Sequence, residues 1–274
     1  MRGRRASPLA GLLLGACLGA AEGPSPAPSE PVSVRAERGA LRFAELAPGV
    51  WLHTSYKDIP PYGPFPSNGL LVARGADEAV LIDTAWIDAQ TDEILSWSEA
   101  ALGRRVTAAV VTHAHDDKMG GVGALRAAGI ATYAHPRSNT LAGSRALVPA
   151  EHDLVIGEDG DAAPHDALTG LTVHYPGPGH TEDNIVVAVN GTDVLFGGCL
   201  IRPGGTTSLG NTTDANLSRW ADTVRAVARR FPDAAIVVPS HGPPGDRALL
   251  SQTVALAEAA TTPEGGRAPD GGPS

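Results

Sequence analysis

The stretch Val110-Val-Thr-His113-Ala-His115-Asp-Asp117-Lys118-Met-Gly-Gly121 gathers two imidazoles and a carboxylate just beyond an apolar run. His113 and His115, two positions apart, can converge on one cation, and Asp117 is displaced enough to serve a second beside it. Three more donors have the same setting, each after an apolar run and beside glycine. They are His180 in Pro176-Gly-Pro-Gly-His180-Thr, Cys199 in Phe196-Gly-Gly-Cys199-Leu and His241 in Pro239-Ser-His241-Gly. Together the six make two sets of three, the number needed for two zinc ions that each keep a position open to water. Three-ligand sites of that kind are catalytic, whereas four closed ligands are structural. Mixed nitrogen, oxygen and sulfur donors favour zinc over magnesium or calcium. His53, His135, His152, His165 and His174 lack this setting and read as ordinary surface or strand residues.

Donors at the carboxyl ends of strands imply an α/β sheet, where such sites sit in a crevice. Period-two or short apolar runs predict strands at Val50–His53, Gly69–Val72, Ala79–Ile82, Val106–Thr112 and Ile130–Ala134. Others are predicted at Leu171–Tyr175, Asn184–Val189, Asp193–Phe196 and Ala235–Pro239. Helical spacing marks Asp88–Leu102, Gly121–Ala128, Ala215–Phe231 and Asp246–Ala260. This outlines one α/β domain over residues 39–260. The Gly- and Pro-rich tail, residues 261–274, is expected to be disordered.

The N-terminus reads as an address. Arg2, Arg4 and Arg5 precede an apolar run from Leu9 to Ala16, too short to span a membrane and the right size for a secretory signal. Leu14-Gly-Ala-Cys17 resembles a bacterial lipobox. Residues 1–16 are therefore read as a lipoprotein-type signal peptide and Cys17 as the lipidated mature N-terminus. Residues 17–38, rich in Pro, Ser, Ala and Glu, are read as a flexible tether. A plain signal peptide cut near Ala20 or Ala21 is the alternative. The expected location is the periplasm, anchored to the outer membrane through Cys17 or else soluble there. Cys17 and Cys199 are the only cysteines among 274 residues, so a lipidated or removed Cys17 leaves Cys199 as a lone thiol that a metal would hold. Loss of residues 1–16 takes three arginines and no acid, moving the formal charge from −9 to −12. Such an acidic chain does not suit nucleic acid, which needs a basic patch. A monomer is the default expectation.

These motifs resemble the subclass B1 metallo-β-lactamases, most nearly the New Delhi type. The matching stretches are VWLHTSYKD, SNGLLV, IDTAW, VVTHAHDDKMGG, AAGIATYA, YPGPGHTEDNI, FGGCLI and SLGN. The resemblance implies a four-layer αββα sandwich and hydrolysis of the β-lactam amide of penicillins, cephalosporins and carbapenems by a metal-bound hydroxide. It assigns His113, His115 and His180 to one zinc and Asp117, Cys199 and His241 to the other, with Asp117 also orienting the hydroxide. Other hydrolases of the superfamily usually carry a histidine after the motif aspartate and a bridging aspartate at the cysteine position. Lys118 and Cys199 stand at those places here. A zinc-binding protein without catalysis would need closed coordination, which six donors shared by two ions do not provide.

The resemblance also gives Arg202 the grip on the substrate carboxylate and Asn211 a place near the developing oxyanion. It puts Lys118 behind the metals, close to the Cys199 thiolate. Trp86, with Tyr62 and Phe65 in the loop Tyr62–Phe65, forms apolar walls over the site. That flap departs from the glycine-rich one of the New Delhi type, because Pro60, Pro61, Pro64 and Pro66 crowd it. Prolines fix φ, so the flap is expected to be stiffer.

Overall fold

Leu70, Val72, Val80 and Ile82 point to one side of their strands and Leu71, Ala79 and Leu81 to the other, and all are buried. A sheet built from them has to be covered on both faces. The computed structural model describes residues 32–36 and 39–262. The stretch read as a signal peptide, Cys17 and the tail from residue 263 lie outside the described residues.

The chain runs β1 (Val32–Ala36), β2 (Gly39–Ala47), β3 (Val50–Ile59), β4 (Gly63–Arg74), β5 (Glu78–Ile82), α1 (Asp88–Leu102) and β6 (Arg105–Val111). It continues with α2 (Asp116–Met119), α3 (Val122–Ala127), β7 (Ala131–Ala134), α4 (Pro136–Ser144) and β8 (His152–Asp153). After a 3-10 turn at Asp166–Leu168 come β9 (Leu171–His174), β10 (Val186–Val189), β11 (Val194–Gly198), α5 (Leu217–Arg230), β12 (Ile236–Pro239) and α6 (Ala248–Thr261). The first eight strands form one sheet in sequence order, antiparallel to β5 and parallel from there. The other sheet has the order β12-β11-β10-β9.

Val50, Leu70, Ile82 and Val110 of the first sheet meet Val173, Val187, Phe196 and Val238 of the second in the central core. Ile94 of α1 and Leu125 of α3 cover the outer face of the first sheet through Leu71, Leu81 and Ala109. Trp220 and Val224 of α5, with Leu250 and Ala257 of α6, cover the second through Val186, Leu195 and Val237. The result is the αββα sandwich.

Besides β2, β8, α2 and α4, which the sequence reading did not mark, three features differ from it. Strand β1 lies inside the stretch read as tether, because Val32-Ser-Val34 alternates and pairs antiparallel with β2, Val32 opposite Phe43. Helix α6 ends at Thr261, one residue past the expected boundary. The flap is the tip of a hairpin rather than a loop, since β3 and β4 stay paired out to Ile59 and Gly63. Strand β5 pairs β4 only from Leu70 onward. Pro64 and Pro66 therefore sit on an edge, where a missing N–H costs no ladder bond.

Four of the five histidines outside the motifs are tied into the fold, His152 lies exposed, and one of the four is far from the surface. His135 and His165 accept from the N–H of Arg137 and Ala167 and so cap α4 and the 3-10 turn. His174 pairs with Asp161 at 2.8 Å. His53 on β3 is fully buried, with Nε2 3.2 Å from the carbonyl of Asp83. Burial, helped by the Lys118 ammonium, lowers its pKa to about 3. The unfolded chain protonates this ring near pH 6.5 and the folded one does not, so its contribution is complete above pH 6.5 and lost as pH falls toward 3. Each unit of pH in that window costs about 1.4 kcal/mol per such group. In urea titrations between pH 7 and pH 4, His53→Gln should lose less stability than the parent chain. Equal acid sensitivity would count against this account.

Candidate metal centre

The six donors predicted from sequence converge at one edge of the sandwich, in two adjoining sets. His113 Nε2 lies 3.0 Å from His115 Nδ1, which lies 3.3 Å from His180 Nε2. Cys199 Sγ is 3.3 Å from His241 Nε2 and 3.5 Å from Asp117 Oδ2, and the last two atoms are 3.7 Å apart. Donor atoms of His113, Asp117 and Cys199 also fall within 4.8 Å of one another, so the sets abut. All six residues are buried or nearly so. Electron-pair donors this close and this dry repel one another unless a cation lies among them. Asp117 Oδ1 is likewise buried without a partner. The chemistry of the donor set, imidazoles with a thiol and a carboxylate, fits zinc.

Close backbone packing puts the donors there. His113 and His115 follow β6, and Asp117 and Lys118 belong to α2. A Cβ on Gly121 would stand 1.8 Å from Thr91 Oγ1, so only glycine lets this turn seat against α1. Gly198, at φ +58°, turns β11 so that Cys199 enters the site. Asp183, three residues after His180, accepts from the N–H of Ala114 at 2.9 Å and from Ser138 Oγ at 2.7 Å, tying two ligand loops together. His241 donates from Nδ1 to the carbonyl of Pro66 at 2.8 Å, which turns Nε2 toward the second set. His115 Nε2 meets Asp214 Oδ2 at 2.8 Å and leaves Nδ1 facing its neighbours.

Behind the donors lies a buried charge network. Lys118 is fully buried and donates to Ser67 Oγ at 2.7 Å and the carbonyl of Asn68 at 2.8 Å. It pairs with Asp117 at 3.3 Å and Asp83 at 3.6 Å. Its direct partners are thus carboxylates, a hydroxyl and a carbonyl, and it reaches the thiol only through its field. Burial alone would raise Asp117, but Lys118 and then the imidazoles of His241, His113 and His115 hold it well below the usual carboxylate range. Burial works against the charge of Lys118, yet Asp117, Cys199 and Asp83 raise its pKa. Burial pushes Asp83 up to about 7 against Lys118 and two bonds from Thr112. Burial, with Asp117 beside it, also pushes the Cys199 thiol up, so its ionisation is tied to cation binding.

Sequence reasoning did not single out Ser67, Asn68, Asp83, Thr112, Asp183 or Asp214. A signal existed for the first three, which are polar residues directly before or after short apolar runs, Gly69–Val72 and Ala79–Ile82. Asn68 also stitches the sheets, donating to the carbonyls of Pro239 and Gly242 at 2.8 Å each.

The chain matches the metallo-β-lactamase superfamily over residues 62–241. It is 34% identical over 232 residues to a metallo-β-lactamase type 2 of Bacteroides fragilis, covering 81% of this chain and 90% of that one. This chain belongs to the metallo-β-lactamase family. Among solved structures, the Erythrobacter litoralis metallo-β-lactamase with β-mercaptoethanol in its active site matches with TM-score 0.79 and 46% identity, over 83% of this chain and 99% of that one. The enzyme FIM-1 of Pseudomonas aeruginosa, solved in its mono-zinc form, matches with TM-score 0.78 and 50% identity, over 81% and 97%.

The rim of this metallo-β-lactamase is built from two loops and the flap. Arg202 is partly buried three residues beyond Cys199, and its guanidinium lies so near Gly210 that a Cβ there would be 3.0 Å from it. Gly210 precedes Asn211, so the two predicted substrate-binding residues share one wall. Asn211 Oδ1 accepts from the N–H and hydroxyl of Thr213 at 3.0 and 2.7 Å, which leaves its amide N–H groups as the free end. Phe65 packs 4.9 Å from the His241 ring and edge-on to Trp86 at 6.5 Å. Trp86 is only 3% exposed, so it backs Phe65 instead of forming an open wall. Tyr62, half exposed, stands at the flap tip. Lys57 on the flap pairs with Asp116 at 2.5 Å and lies over the Trp86 ring at 5.1 Å, joining flap to ligand helix.

Proposed function

We propose that this metallo-β-lactamase opens the ring amide of penicillins, cephalosporins and carbapenems with two zinc ions per chain. One would be held by His113, His115 and His180, the other by Asp117, Cys199 and His241. Zinc-dependent β-lactam hydrolysis, and the antibiotic resistance it confers, follow from the family and from its B1 relatives in Bacteroides fragilis and Bacillus cereus. The observation that carries the reading is the pair of abutting three-donor sets, one all imidazole and one with a thiol. At such three-donor sites zinc supplies water with a pKa near 7 and a Lewis acid for a carbonyl oxygen.

The chain's own residues do the rest. The unpartnered Asp117 Oδ1 is placed to accept a proton-bearing bond from the attacking water and aim it. Arg202 holds the substrate carboxylate in a planar fork. The amide N–H end of Asn211 faces charge developing on the carbonyl oxygen. Phe65 and Tyr62 cover the apolar part of the substrate and thin out water. No covalent intermediate on serine is required.

Arg202→Ala should raise KM for carboxylated β-lactams about 10- to 100-fold, the equivalent of one lost charged contact, with kcat changed far less. A kcat loss at constant KM would remove Arg202 from substrate binding. Within subclass B1 we place the chain nearest the New Delhi type, on the VVTHAHDDKMGG and YPGPGHTEDNI motifs. The paired hairpin with four prolines supports a stiff flap, and slow amide exchange at residues 56–67 is the expected result. Fast exchange there would reject it. Export to the periplasm, a lipid anchor at Cys17, a short tether, a tail beyond the domain and a monomeric state complete the proposal. No helix among the described residues is long and apolar enough to cross a membrane.

The test is imipenem hydrolysis by the chain loaded with zinc, then treated with a chelator, then reloaded. Turnover lost on chelation and regained with zinc is expected. A zinc-loaded chain that turns over no penicillin, cephalosporin or carbapenem would overturn the substrate assignment and direct attention to esters and thioesters.

A further inference from the structure

Arg145 belongs to no motif and ligates nothing, yet it touches two groups that stand directly behind the three-histidine set. It follows the last residue of α4 and reaches back to the ligand loop. One guanidinium nitrogen donates to the carbonyl of Ala114 at 2.7 Å, and the other pairs with Asp214 Oδ2 at 2.9 Å. That same Oδ2 is 2.8 Å from His115 Nε2. Ala114 is fully buried between His113 and His115, and its N–H is already held by Asp183 at 2.9 Å.

We propose that Arg145 is a positioning residue for the three-histidine set, fixing both the backbone before His115 and the carboxylate that orients the His115 ring. The role rests on reading that set as a zinc site. The loop Asn211–Asn216 that carries Asp214 has no regular secondary structure, and the Asp214 side chain is 41% exposed. On its own that carboxylate is free to turn toward water, and His115 Nε2 then loses the partner that sets the ring. The Arg145 side chain, 23% exposed and anchored at the end of α4, removes that freedom. A planar fork can hold a carbonyl and a carboxylate at once in a set geometry, whereas an ammonium is a single point of charge.

Cobalt(II) loaded in place of zinc separates the two sets, because only the second carries a thiolate and its sulfur-to-metal absorption. In the full chain, Arg145→Ala is expected to weaken metal binding at the three-histidine set about 10- to 100-fold, the range for groups that orient a ligand from behind. The visible bands of that set should shift, while the thiolate band should fill at the same metal concentration within about threefold. Arg145→Lys should recover less than half of the loss on a logarithmic scale. A folded Arg145→Ala chain with unchanged visible bands and affinity would overturn the proposal and leave Arg145 as an anchor for α4. If Arg145→Ala does not fold, the same bands and affinities of Arg145→Lys decide, and parental values there overturn it. Failure of the unaltered chain to bind metal at the three-histidine set would overturn the zinc reading and this role together.

Discussion

His113→Ala is expected to lower kcat/KM for imipenem about 1,000-fold and to cost the chain most of its bound zinc. The several kcal/mol that a catalytic metal contributes to transition-state stabilisation convert to about that factor at 1.36 kcal/mol per decade. His113 is the residue to change because it lies within 4.8 Å of the other donors of its own set and of Asp117 and Cys199 in the other. Removing it therefore disturbs both, not one. Cys199→Ser is the contrasting variant, since the thiol lies within 3.5 Å of Asp117 and His241 and approaches the three-histidine set through His113. It should take the zinc content from two per chain to one and reduce activity, while leaving the fold and the three-histidine set in place. Metal analysis alongside the kinetics checks both variants. Two zinc ions retained by Cys199→Ser would contradict the assignment of the second set.

Lys118→Met should destabilise the metal-free chain by about 3–5 kcal/mol, the cost of leaving buried charges unpaired. Lys118 is the only cation within contact distance of Asp83 and Asp117 among the described residues, and all three are fully buried. With the ammonium gone, Asp83 keeps two bonds from Thr112, and Asp117 keeps one from Ser67 and a weak one from the Cys199 thiol. Neutralising one carboxylate should then help. Asp83→Asn is expected to recover part of the loss in the Lys118→Met background while costing stability in the parent chain. Urea midpoints of the four chains give the coupling directly. Additive effects would show that Lys118 and Asp83 do not act as a pair.

The six candidate donors that the structure gathers were legible in the sequence, and the physical reason is local. Each donor lies within a few residues of a strand end and close to a glycine turn, so residue type, strand end and turn are read from about ten consecutive positions. The same local periodicity located the central strands and four of the helices. It missed the outer half of the β3–β4 hairpin, because four prolines and glycine hide an alternation that edge pairing tolerates. It also missed His53, whose burial depends on Gly69 leaving room for its ring.

What only the tertiary structure decided is the set of partners behind the ligands. Lys118 meets Asp83 across 35 positions of chain, Asp183 meets Ala114 across 69, and His115 meets Asp214 across 99. No period or motif links residues at such separations, since the sheet order and the packing of α4 bring them together. Local sequence determined which donor atoms this protein offers to a metal. The aim of those atoms, through Lys118, Asp183, Asp214 and Arg145, came from contacts that exist only once the two sheets and their helices have closed on one another.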